Sequence, residues 1–301
     1  RFQILSFMKK YFLIGGLMAL FFNCKEDKNS PLIDLAYTNT LSQAIKMRSE
    51  GRVKYLELTG LFKLDSTSNT FGSAASNDFI LTIENLTPTI GRINLSKDAL
   101  TFYAEKDVEI TTDKDQKIES LVLSIDTNGN SVMLYHEQIK WQIITRSGAL
   151  YLRVWDKKNP AIESFKGFKS YDVNSDFIFE ADFKYFETAR LEPVDSKLGI
   201  PDVTDFIGQV SFMYNGEKHS LDVGSEGFIM VGDQTSGETT YGGGRYLNSD
   251  ISKGNGKVTI DFNYLYNPPC AFSEFTTCLY PPRQNQLAFE IKAGERIENK
   301  R

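Results

Sequence analysis

The sequence predicts a mainly β protein: two antiparallel β domains preceded by one short helix. Three observations carry this expectation. Aromatic residues make up 13% of the chain, with 22 Phe and 14 Tyr against 2 Trp, a bias that suits half-buried pleated surfaces. Short runs of alternating apolar and polar residues recur from residue 52 onward. The breaks between them hold turn-forming pairs, Ser147-Gly148 and Asn215-Gly216, with a similar break at "TNGN", 127–130.

Taken in order, the chain opens with a segment that reads as an export signal. The first Met is Met8, so translation is expected to start there, with residues 1–7 as upstream translation or a fragment edge. Lys9 and Lys10 precede the uncharged run "YFLIGGLMALFF", which is too short to cross a bilayer as a helix, a task for about 20 residues. The run ends at Asn23-Cys24 and the charged, turn-prone "KEDKNSP". This pattern resembles a bacterial lipoprotein signal, with Asn23 where a small residue usually stands. The resemblance implies a signal peptide over 1–23, acylation (palmitate among the chains) at Cys24, and a tether over 24–37. The membrane is then a partner through the anchor, at the outer membrane on its periplasmic face or at the cell surface. Loss of residues 1–23 removes Arg1, Lys9 and Lys10 and no acid, moving the net charge from −5 to −8.

A helix is expected over 38–51, capped by Thr40 or Ser42, with Leu41, Ile45 and Met47 on its apolar side and Gly51 as its stop. A β-sandwich is expected over 52–156, with Trp141 and Trp155 alternating into its core. The composition shifts at "DKKNPAIESFKGF", 156–168, which marks a boundary. A C-terminal β-sandwich or barrel should then fill 165–295. In it, "TIDFNYLY" alternates, placing Ile260, Phe262 and Tyr264 on one face and Thr259, Asp261 and Asn263 on the other.

The segments "LTGLFKL", "NTFGSAASNDFIL", "LRVWD", "DQTSGETTYGGGRYL", "DFNYLYNPPCAF", "TCLYPPRQNQL" and "KAGE" together resemble the domain of unknown function 1684 family, from about residue 40 to 295. That resemblance brings no activity with it. "FGSAASNDFIL" is also similar to the opening of a forkhead-associated domain, through Gly72, Asp78, Phe79 and Leu81. Ser73 stands where such domains carry their phosphate-binding Arg. The likeness therefore implies a sandwich fold without phosphothreonine binding, because no guanidinium fork is present to grip a phosphate.

Composition excludes several function classes. The chain has no block of Lys and Arg to track phosphates, so nucleic acid is not an expected partner. With two histidines, His136 and His219, most zinc schemes fall away, and neither a metal nor a cofactor is expected. His219, after the Asn-Gly turn, is expected on the surface. "TSGETTYGGG" lacks the Lys-Ser/Thr ending of a phosphate loop.

Two constellations remain. Cys270 and Cys278, flanked by Pro268-Pro269 and Pro281-Pro282, suit a structural disulfide in an exported chain, with a reactive thiol pair as the competing expectation. The polar set Asp233, Thr235, Tyr241, Arg245, Asp261, Asn263, Asn267 and Asn285 surrounds the glycines of "YGGGRY" and the Asn-Pro-Pro-Cys turn. A carboxylate, a guanidinium and several amides can hold a small molecule, a glycan or a peptide end. Asp233 with Asp261 can alternatively act as paired acids beside Arg245 in a hydrolase. The structural alternative is that these groups satisfy their own turns. The expected function is a binding or interaction module of the cell envelope.

Overall fold

The computed structural model describes residues 33–97, 99–197, 199 and 202–297. Cys24 and the segment 1–23, expected to act as an export signal, lie outside these residues. Helix α1 (Leu35–Arg52) opens the described chain. It starts earlier than expected because Asp34, not Thr40 or Ser42, is its cap: the Asp34 carboxylate accepts from Tyr37 N at 2.8 Å. Gly51 lies within the last turn and does not stop it. Leu41 is buried, whereas Met47 points to solvent at 66% exposure. No helix among the described residues is long and apolar enough to cross a membrane.

The first β module holds β1 (Leu58–Lys63), β2 (Ser68–Gly72), β3 (Phe79–Ile80), β4 (Gly91–Leu95), β5 (Leu100–Ala104), β6 (Ile110–Thr112), β7 (Lys117–Ile118), β8 (Ser120–Val122), β9 (Leu134–His136), β10 (Ile139–Arg146) and β11 (Ala149–Asp156). They form two sheets, ordered β1-β11-β10-β9-β6-β7 and β3-β2-β4-β5-β8. All pairs are antiparallel except β2 with β3. Phe71 and Phe102 from one sheet meet Trp141 from the other, with ring centroids 5.3–6.1 Å apart. This contact closes a sandwich around a largely apolar centre. Trp155 is not part of it. Along β11 Leu152 and Val154 point inward, so the period of two turns Arg153 and Trp155 to the outer face.

A short helix, α2 (Pro160–Ser164), capped by Asn159, occupies the stretch where composition shifts. The second module is built on a sheet ordered β14-β13-β12-β17, from β12 (Ile178–Val194), β13 (Asp202–Tyr214), β14 (Glu217–Gly224) and β17 (Gly256–Asp261). Asn215 and Gly216 both take positive φ, 51° and 80°, as a tight hairpin turn with right-handed strands requires. Ser147-Gly148 does the same between β10 and β11. The ladder β15 (Phe228–Val231) with β16 (Arg245–Asn248), and the C-terminal tail carrying Leu265, Leu287, Ile291 and Ala293, cover the apolar side of the sheet. The order is open from β14 to β17, and the β15–β16 ladder faces it, so of the two expected forms the second module takes the sandwich and not the barrel.

"TIDFNYLY" does not continue as a strand. β17 ends at Asp261 and Phe262–Tyr264 turn as a 3-10 helix capped by the Asp261 carboxylate. His219 is half-buried against the Phe289 ring, 4.9 Å away, and not on the open surface. His136 is buried between Thr87 Oγ1 and Glu109 O, at 2.8 and 2.9 Å.

Candidate functional site

The polar set of the second module is largely internal. Arg245, in β16, is fully buried. Its guanidinium donates to Asp233 Oδ2 at 2.9 Å, and to the carbonyl oxygens of Ile291, Ala293 and Glu295. Asp233 accepts four donors in all: Arg245 Nη2, Thr235 N, Thr235 Oγ1 and Ile291 N. Burial pulls the Arg245 guanidinium below its usual range, and Asp233 opposes that pull. The pair therefore ties the glycine-rich loop to the C-terminal tail, and both side chains have no exposure to solvent.

The other amides behave alike. Asn285 donates to Asp222 O and Met230 O and accepts from Asp222 N, locking three segments together. Asn263 joins Asp261 to the backbone of Asn174. Asn267 is held by Glu295 and Arg296 O. Asp261 is half-buried and accepts the Tyr37 hydroxyl of α1 at 2.7 Å. Arg245 therefore pairs with Asp233 and not with Asp261. The two carboxylates serve different partners, and Asp233 has no open face from which to act on a substrate. The arrangement lacks the accessible acid pair that a glycoside hydrolase needs.

One ion pair escaped the sequence reading. Arg52, at the end of α1, forms a buried bidentate bridge with Glu295, and its Nη1 also donates to Asn267 O. The partners are separated by 243 residues, so no local signal marks them. Their only sequence trace is the "KAGE" motif containing Glu295.

Cys270 and Cys278 are joined as a disulfide. The loop they close reaches the first module, where Ser273 Oγ donates to Leu58 O at 3.1 Å, and holds Lys197 N on Cys278 O at 2.9 Å. Gly244, at φ 76°, lets the glycine-rich loop pass directly over Pro281; a Cβ there would lie 2.3 Å from Pro281 Cγ. Between these two loops opens a cavity of about 790 Å³. Phe168, Tyr241 and Phe272 supply ring surface, and Lys197, Glu238, Ser273 and Glu274 supply polar groups. Phe272 is fixed in place: its ring stands edge-on to Phe168 at 4.9 Å, and the Arg52 guanidinium lies 5.0 Å above it. Burial, and then the nearby Tyr280, raise the Tyr241 hydroxyl above its ordinary range, so it stays a neutral donor. Tyr241 is thus the member of the expected polar set that lines this cavity.

Fold and cavity together describe a β protein whose second module carries a loop-lined, aromatic cavity. Residues 163–296 match the family model described as protein of unknown function (DUF1684). The match spans the second module, and the motifs quoted from the first half lie outside it. Among solved structures, an uncharacterized protein of Haloarcula marismortui is 29% identical over 46% of this chain and 80% of its own, with a TM-score of 0.39. Mycobacterium tuberculosis EmbR in complex with a low-affinity phosphopeptide is 11% identical over 39% of this chain and 30% of its own, with a TM-score of 0.20. No curated protein matches the chain.

Proposed function

We propose that this protein is a lipid-anchored binding module of the cell envelope, and that its ligand, a glycan or a peptide, occupies the cavity between the glycine-rich loop and the disulfide loop. One observation carries the reading. Buried ion pairs, amides and a disulfide hold both loops from behind, while the face between them presents three rings edged by Lys197, Glu238, Ser273 and Glu274. Rings that stack and a few placed polar groups are what a sugar or a short peptide needs from its receptor. Preorganised loops also reduce the ordering cost of binding. The first module, 52–156 in this reading, serves as a support.

The anchor follows from the run Met8–Cys24 and places the cavity outside the cytoplasm, where the disulfide is stable. Intact mass of protein purified from membranes tests it. An acyl-modified Cys24, with Cys270 and Cys278 alkylated only after reduction, is the expected result; an unmodified Cys24 removes the anchor. The cavity is tested by titrating oligosaccharide and peptide panels, followed by calorimetry. Tyr241→Ala should abolish saturable binding with little change in melting temperature. Binding that survives this change at wild-type affinity would place the ligand elsewhere.

A further inference from the structure

Residues Pro269, Thr276, Thr277 and Cys278 line a smaller cavity of about 220 Å³, which shares no lining residue with the site proposed above. It sits where β11 of the first module meets the second module. Arg153 lines it, turned outward from β11 by the strand's alternation. The two most deeply buried arginines of the described residues each have a carboxylate: Arg245 has Asp233 and Arg52 has Glu295. Arg153 pairs with no carboxylate among the described residues. Its Nε is shielded and finds no acceptor, and Nη2 reaches only Thr277 Oγ1, at 3.5 Å. The charge nearest enough to act on it is another cation, Arg146, and burial with that repulsion lowers the guanidinium to about 10, still protonated at neutral pH. Shielding a cation without a counter-charge is unfavourable, and a guanidinium fork fits a carboxylate or phosphate in two-point contact.

The walls select between these anions. Leu58, Pro269 and the Cys278 half of the disulfide are apolar surfaces, and Tyr55 adds a ring with a hydroxyl at its edge. The Tyr246 hydroxyl donates to Leu279 O and the Thr276 hydroxyl to Ser273 O, so neither is free for a ligand. Thr277 offers a hydroxyl beside the guanidinium, and of the remaining wall residues Tyr55 alone has a hydroxyl with no hydrogen-bond partner among the described residues. A phosphate, doubly charged, would meet one cation and a mostly apolar wall here. A single carboxylate with an apolar body would be well served, and the volume equals that of about seven water molecules. We propose that Arg153 and Thr277 form a binding site for a small organic monocarboxylate at the junction of the two modules, with its apolar part against Leu58 and Pro269.

The test is titration of the isotope-labelled full chain with hexanoate, observing the Arg153 Nε–H and Thr277 amide resonances. Saturable shifts at both, and a melting temperature that rises with hexanoate, are expected. Arg153→Gln should weaken hexanoate at least tenfold, and in its absence should melt no lower than wild type, because an uncompensated cation has been removed. Arg153→Lys, which keeps charge without the fork, should fall between. Inorganic phosphate should bind at least tenfold more weakly than hexanoate. The proposal is overturned by wild-type resonances that do not move, by Arg153→Gln retaining affinity within threefold, or by phosphate matching hexanoate. A marked loss of melting temperature in Arg153→Gln without ligand would likewise overturn it and make the side chain a structural one.

Discussion

At the centre of the first module the largest fully buried side chains are Phe71, Phe102 and Trp141; at the centre of the second, beside Phe183, Phe206 and Phe262, stands Arg245. The two solutions differ in what they specify. Ring contacts are favourable over a range of orientations and bury apolar area, about 25 cal/mol per Å². Hydrogen bonds from a buried guanidinium are directional, and they are costly if any partner is misplaced. The first module needs only to hold two sheets together. The second must hold long connections, from Gly232 to Gly244 and from Phe262 to Ile297, that have almost no sheet of their own. Its buried charges and amides supply the fixed points that a ladder supplies elsewhere, and the open cavity lies between the segments so fixed.

The contrast can be broken at either centre. Arg245→Met would leave Asp233 stranded and remove the donor from three carbonyl oxygens; a loss of about 3–5 kcal/mol in urea unfolding is expected. Adding Asp233→Asn should recover part of that loss, because the stranded charge goes with it. Trp141→Ala should cost a similar amount, about 3–5 kcal/mol, through a cavity in the first core. The two variants should then differ in the cavity between the loops. Ligand binding should fall with Arg245→Met under conditions where the chain is still folded, and should persist in folded Trp141→Ala. Equal effects on binding would mean that the polar network does not position the loops.

The next effect in size concerns the loop 270–278. Cys270→Ser with Cys278→Ser frees nine residues and should lower stability by about 2–3 kcal/mol in the loop-entropy account. Because Ser273 anchors this loop to Leu58, the same change should raise amide exchange at β1 as well as in the loop itself. Exchange confined to residues 268–282 would show that the loop does not brace the first module.

The parts of this molecule that were legible in the sequence are those fixed by neighbours in the chain. Ser147-Gly148 and Asn215-Gly216 announce their turns because positive φ at both positions is a local demand. Cys270 and Cys278 announce a clamp through spacing and flanking prolines. What was not legible depends on distant partners. Asp34 caps α1, although it lies in a stretch that reads as tether. Asp261 and Asn263 do meet, but through a 3-10 turn and not along a strand face. Trp155 reads as core by residue type, yet the parity set by Leu152 and Val154 turns it outward. Arg245, Asp233 and Asn285 sit beside glycines and turns, where polar residues are ordinarily exposed. Only the C-terminal tail folding across them makes them interior.

The smallest effect probes where α1 meets the second module. Tyr37 donates to Asp261, and burial, then that carboxylate, raise its hydroxyl well above its ordinary value near 10.0. A group whose folded value is raised contributes stability that is complete below its unfolded value, near pH 10, and declines as pH climbs beyond it. Tyr241, Tyr246, Tyr264 and Tyr266 are raised as well, with burial as the leading cause in each, so the wild type should weaken progressively above pH 10. Tyr37→Phe should cost about 1.5 kcal/mol at neutral pH, the low end for a hydrogen bond to a charged group, as suits a half-buried carboxylate. Its decline above pH 10 should be shallower than that of the wild type, because the side chain that must ionise on unfolding is gone. Parallel curves for the two proteins would mean that Tyr37 does not couple the helix to Asp261. A shallower curve would make the first turn of α1 part of the same polar frame that holds the loops.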